Sequence, residues 1–183
     1  MLRIVPLVAS LKEHLDRLSE KPEDYRPAGC PQCGVARPWR HGHYDRKGDR
    51  DGGQQNPVPV PRYVCGRKGG CQATCSTVPS CLPPRRWYLW SVQMAALMGL
   101  LSGMSLRRCA DTLGRILGPS HSTVRRWWRW LQSRHDLFSF HLRNHEPEWG
   151  RAVHWTEFWR RALAQQPLRE LMAYLDQQRL IVP

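Results

Sequence analysis

Residues 105–134, SLRRCADTLGRILGPSHSTVRRWWRWLQSR, decide how the rest of the chain is read. Two helical segments fit this stretch. Leu106, Cys109, Ala110 and Leu113 recur at the three- and four-residue spacing of one helix face, and Val124, Trp127, Trp128 and Leu131 do the same further on. Ser105 is placed to cap the first segment and Gly118 to close it; Ser120, after Pro119, is placed to cap the second. The other face of the second segment carries His121, Ser122, Arg125, Arg126 and Arg129, and no acidic residue occurs between Arg115 and Arg134. A helix that turns Ser, Thr, His and Arg outward can hydrogen-bond base edges in a major groove. Its first turn, with Ser120, Ser122 and Thr123, offers free N–H groups to a phosphate. The predicted roles are base contacts for His121, Ser122, Arg125 and Arg126, and phosphate contacts for Thr123 and Arg129.

Working outward, RRWYLWSVQMAALMGLLSG (85–103) reads as a helix ended by Gly103. Its Trp87, Leu89, Trp90, Met94, Leu97, Met98 and Leu101 would close a three-helix core. The apolar run Trp87 to Leu101 is short for a bilayer and contains Gln93, so no membrane partner is expected. Two further amphipathic helices are predicted near Val153–Gln165 and Pro167–Gln178. At the other end, Leu7, Leu11, Leu15 and Leu18 make an apolar stripe that predicts a helix over residues 1–20, stopped by Pro22 and Pro27.

Between residues 29 and 82 the helical period disappears, and Cys, Gly, Pro and Arg dominate. Two strands are predicted, Trp39–Arg46 and Val58–Val64, joined by the turn-rich GDRDGGQQN. Pro59 and Pro61 suit the second only as an edge strand. Around the strands stand Cys30-Pro-Gln-Cys33-Gly and Cys65-Gly-Arg-Lys-Gly-Gly-Cys71. Two such knuckles flanking a strand pair would hold one zinc ion by four thiolates, a closed structural site rather than a catalytic one. Binding the ion would supply folding energy to a segment poor in core residues. Five residues separate Cys65 from Cys71, longer than the usual knuckle, so Cys75 and Cys81 remain alternative ligands. So do His41 and His43, which alternation would place on one strand face. Cys109 reads as a core residue of its helix.

The whole chain has 28 Lys and Arg against 15 Asp and Glu, a formal charge of +13, with Arg in excess. Arg's planar fork matches phosphates and guanine edges, which points to nucleic acid. The N-terminus makes a poor signal peptide, because Pro6 interrupts its apolar patch and Lys12, Glu13 and His14 follow. A cytoplasmic, nucleoid-associated protein is expected, in which clustered cysteines bind metal.

Taken together, CPQCG, HGHYDR, PVPVPRYVC, LPPRRWYLW and STVRRWW resemble the N-terminal DNA-binding region of bacterial insertion-sequence transposases of the ISL3-like and related families, over about residues 28–134. The resemblance implies zinc on Cys30, Cys33, Cys65 and Cys71, and DNA reading by Ser122 to Arg126. In one respect the chain departs from that family, and cutting is not expected of it. A transposase would continue into a nuclease domain of RNase-H type, and about fifty residues after Arg134 are too few for one. Asp136, Glu146, Glu148, Glu157, Glu170 and Asp176 lie there without a strand pattern to bring them together. The expected architecture is mainly α with a small β zinc ribbon: an N-terminal helix and linker (1–28), the ribbon (29–82), a helix-turn-helix unit (83–135) and C-terminal helices (136–183). The expected function is sequence-specific binding of double-stranded DNA, as an accessory or regulatory protein of a mobile element and not an enzyme. Its further partners would be a second copy or a separate catalytic transposase or nuclease. The alternatives are an interaction module in an RNA or single-stranded DNA assembly, and a truncated transposase working with a catalytic partner.

Overall fold

The structure, a computed structural model, describes residues 1–34, 37–48, 57–66, 69–84, 88–114 and 118–182. Among the described residues the fold is mainly α, with six α-helices and one small mixed sheet of four strands. It divides into two compact units, Met1–Trp87 with Arg179–Pro183, and Tyr88–Gln178.

The first unit is built on the sheet. Its strands are β1 (Leu2–Val5), β2 (Trp39–Arg46), β3 (Val58–Val64) and β4 (Thr74–Pro79), in the order β1-β4-β3-β2. β2 and β3 form an antiparallel hairpin, β4 pairs antiparallel with the end of β3, and β1 lies parallel to β4. The predicted helix over residues 1–20 is therefore shorter. Residues 2–5 are a strand, Leu7 is 84% exposed with φ of 60°, and α1 covers Leu11–Glu20. Ser10 starts it: its Oγ accepts from the Glu13 amide, and the Glu13 carboxylate accepts from the Ala9 amide, a near relative of the capping box. The leucine stripe overstated the helix because helical periodicity cannot register a strand that pairs with residues seventy positions away.

β3 is also not the edge strand that its prolines suggest. It lies between β2 and β4, but β4 meets it only at Arg62–Val64, so Pro59 and Pro61 sit where β3 has β2 alone as neighbour. The side of Pro59 away from β2 is occupied instead by α1: Nε2 of the fully buried His14 donates to the Pro59 carbonyl at 2.9 Å. Nδ1 of the same ring then accepts from the Tyr25 hydroxyl at 2.7 Å. Burial pushes the His14 pKa below its ordinary value. Tyr25, Tyr63 and Cys75 form the adjoining core, with Val5 and Leu18 packed on it.

The second unit is helical: α2 (Trp90–Leu101), α3 (Leu106–Gly114), α4 (His121–His145), α5 (Trp155–Gln165) and α6 (Leu168–Gln177). α2 is apolar nearly all round and packs on α3, α4, α5 and α6, as a helix without a polar face must. Its buried Gln93 is satisfied by donating to the Tyr88 carbonyl at 2.9 Å. Of the predicted core of this segment, Trp90, Leu97 and Leu101 are buried, Leu89 is 41% exposed, and Trp87 lies outside the described residues. α4 is much longer than the predicted segment. It runs through the expected boundary at 135/136, and Phe138 and Leu142 continue the buried stripe of Val124, Trp127 and Leu131. No Gly or Pro interrupts it before Pro147. Among the described residues, no helix is long and apolar enough to cross a membrane.

Candidate metal centre and basic helix face

The four knuckle cysteines meet at one end of the hairpin. The first turn is closed by the Gly34 amide donating to the Cys30 carbonyl at 2.8 Å. Cys65 follows directly on β3 and is anchored by its amide donating to Ala73. The ligand atoms of Cys30, Cys33, Cys65 and Cys71 all lie within 4.8 Å of one another. Cys30 Sγ is 3.6 Å from Cys71 Sγ, and Cys33 Sγ is 3.7 Å from Cys65 Sγ. Thiolates bound at about 2.3 Å to one tetrahedral ion would be separated by about 3.8 Å, so the spacing is compatible with a structural zinc site. None of the four is in a disulfide among the described residues; Cys30 and Cys65 are buried, and Cys33 and Cys71 are exposed. Burial pushes the Cys65 thiol up to about 12, so a thiolate there needs a cation beside it.

Space for this loop depends on glycine. A Cβ on Gly70 would lie 2.6 Å from Cys65 Sγ and closer still to the Gly66 carbonyl oxygen. The indole of Trp39, 66% exposed, borders the same loop over Gly66.

The alternative ligands lie elsewhere. Cys75 pairs with Tyr63 across β4 and β3 and is buried in the tyrosine core. Cys81 is half-buried beyond the end of β4. His41 and His43 are exposed on β2, outside the thiol cluster. A register shift between Arg40 and His43, with Gly42 at φ of 87°, breaks the two-residue alternation on which their shared face rested.

The start of α4 is organised as its sequence suggests. Ser120 caps it: its Oγ accepts from the Thr123 amide at 3.3 Å and lies 2.9 and 3.1 Å from the Ser122 and Thr123 hydroxyls. Val124, Trp127 and Leu131 are buried, and Trp128 is half-buried against Trp155 with ring centres 4.9 Å apart. His121, Ser122, Arg125, Arg126 and Arg129 are exposed and Thr123 is half-buried. Arg126 reaches the Thr123 hydroxyl at 3.4 Å. Among the described residues none of Arg125, Arg126 and Arg129 is paired with a carboxylate. Other arginines do have such partners: Arg151 with Glu148, Arg161 with Glu157 and Arg169 with Glu170. α3 packs on both α2 and α4, with Cys109 and Ala110 buried between Leu106 and Leu113. The Arg108 amide donates to Ser105 Oγ at 3.2 Å. The predicted end of this helix falls on residues 115–117, outside the described residues, and α3 is followed to Gly114.

The acidic residues of the C-terminal half do not converge. Glu148, Glu157 and Glu170 face arginines, Asp176 is buried on α6, and the cysteine cluster is the one metal-competent group among the described residues.

No curated protein and no solved structure gives a match to the chain. A family model does, over residues 30–127, from the first knuckle cysteine to the buried tryptophan of α4. That span is more than half of the chain, which therefore belongs to the family described as a domain of unknown function, DUF6431.

Proposed function

We propose that this protein binds double-stranded DNA through the first three turns of α4, with α3 and α4 acting as a helix-turn-helix and a zinc ion holding the knuckles of a ribbon. The observation that carries the reading is the contrast between the two faces of α4. Val124, Trp127 and Leu131 are at most 1% exposed and fix the helix, while Arg125, Arg126 and Arg129 face outward with no carboxylate among the described residues to neutralise them. Unpaired guanidinium groups on a rigid helix are preorganised for guanine edges and phosphates. Zinc is the favoured ion because four thiolates at tetrahedral spacing suit it and leave no open coordination position. The biological role proposed is that of an accessory or regulatory DNA-binding protein of a mobile element, nucleoid-associated and working beside a separate catalytic protein.

Selection from a random duplex pool, with single-stranded competitor present, tests this. Recovery of a shared duplex sequence supports the reading; equal retention of any single strand contradicts it. The chain should also purify with roughly one zinc ion, lost in Cys30→Ser.

A second reading, contact with single-stranded nucleic acid in a larger assembly, is favoured by exposed Trp39 on a strand that also exposes Arg40, His41 and His43. The other tryptophans that would serve it are packed: Trp149 is buried and Trp128, Trp130 and Trp155 are half-buried.

A further inference from the structure

The C-terminal half of α4 has a second organised face. Opposite the buried stripe of Leu131, Phe138 and Leu142 run Trp130, Ser133, Leu137, Phe140 and Asn144. Their spacing alternates three and four residues over two heptads, the repeat that keeps one helix seam against another. Leu137 is 42% and Phe140 63% exposed. Half-buried Trp130 packs edge-on to Phe138, with ring centres 5.5 Å apart. Along one flank stand Asp136 and Arg143, seven residues apart and both exposed. Neither has an ion-pair partner among the described residues; the Arg143 guanidinium lies over the Phe158 ring.

We infer that this face is a homodimer seam on which a second copy of α4 packs antiparallel. Charge selects the occupant and its direction. In an antiparallel pair Leu137 meets Phe140 of the second copy, Ser133 meets Asn144, and each Asp136 comes opposite the other copy's Arg143, so the pair forms twice by symmetry and neither flanking charge is left over. A parallel pair would instead set Arg129 against Arg134 and leave Arg143 unmatched. The seam is short, so the dimer belongs to the weak class that buries less than about 1,200 Å². The inference stands without the DNA reading and extends it. Arg126 is about 19 Å along the helix from the seam centre. The two copies of Arg126 would then be about 37 Å apart, close to the 34–36 Å between major-groove half-sites one helical turn apart.

Sedimentation of the full, zinc-loaded chain over roughly micromolar to sub-millimolar concentration, without DNA, tests the seam. The expected result is a reversible monomer–dimer equilibrium. Phe140→Asp should weaken it by about tenfold or more while circular dichroism stays unchanged. Asp136→Arg and Arg143→Asp should each weaken it, and the double swap Asp136→Arg/Arg143→Asp should restore it to within about threefold. A chain monomeric at every concentration, a dimer indifferent to Phe140→Asp, or a double swap as weak as the single variants would overturn the inference. Because DNA is absent, none of these results bears on whether α4 binds a duplex.

Discussion

Two adjacent glycines should respond oppositely to alanine. In Gly70→Ala the new Cβ would lie 2.6 Å from Cys65 Sγ, almost an ångström inside ordinary van der Waals contact, and nearer still to the backbone oxygen of Gly66. Neither neighbour can swing aside: one belongs to a thiol of the metal cluster, the other to the main chain of the same loop. The loop must open by about 1 Å, whereas zinc–ligand distances tolerate about 0.2 Å. Much of the metal's contribution, about 10–16 kcal/mol of apparent binding free energy in small zinc modules, should therefore be lost. Gly69→Ala is the control. Gly69 has φ of 76° but open space around its Cβ position, so it should cost about 1–2 kcal/mol of backbone strain and keep the metal. Zinc content after gel filtration, with a chelator competition, reads both. If Gly70→Ala retained zinc with wild-type affinity, the loop could not be packed on Cys65 as described and the four-thiolate site would have to be redrawn.

Other perturbations probe the two units separately. His14 has its pKa lowered by burial, so the unfolded chain takes up a proton that the folded one resists. Stability of the first unit should fall as pH drops below about 6.5, by up to about 1.4 kcal/mol per pH unit, and the slope should shrink in His14→Gln; denaturant titrations at several pH values would read it. In the second unit, Trp127 is 1% exposed and meets Tyr88 edge-on, with ring centres 5.4 Å apart. Trp127→Ala should cost about 3–5 kcal/mol in thermal melts. Trp127→Phe should cost less, since the indole N–H has no hydrogen-bond partner among the described residues. Ser120→Ala removes the cap of α4 and should cost about 1 kcal/mol by the same assay.

The features read most directly from sequence are those with local signals. The strands Trp39–Arg46 and Val58–Val64 have the expected ends, because turn-formers bracket alternating β-formers. Cys30, Cys33, Cys65 and Cys71 converge because a knuckle's spacing is a local property and the hairpin brings its two ends together. The pairing of β1 with β4 is not legible in the sequence. Their pairing joins Leu2 to Ser76 and Val5 to Pro79, and nothing near either segment announces it. Thr74 to Pro79, TCSTVP, does carry a β-branched signal that could have marked a strand. The length of α4 was also available in principle: DLFSFHLRNHE contains no breaker, and its apolar positions keep the helical period of Val124, Trp127 and Leu131. The loss of acidic residues ends at Asp136, a change of composition that falls inside one continuous helix and not at a boundary. The bulge at Gly42 is a backbone event that strict alternation cannot anticipate.

The most direct test of the central claim is the affinity of the zinc-loaded chain for its selected duplex and for a scrambled one, measured by fluorescence anisotropy for the wild type, Arg125→Ala, Arg126→Ala and Arg129→Ala. If the outward face of α4 reads the groove, Arg125→Ala and Arg126→Ala should each cost about 1–3 kcal/mol on the selected duplex and much less on the scrambled one. Arg129→Ala should weaken both alike and reduce the salt slope by about 1. Sequence preference that survives the loss of both Arg125 and Arg126 would contradict the account.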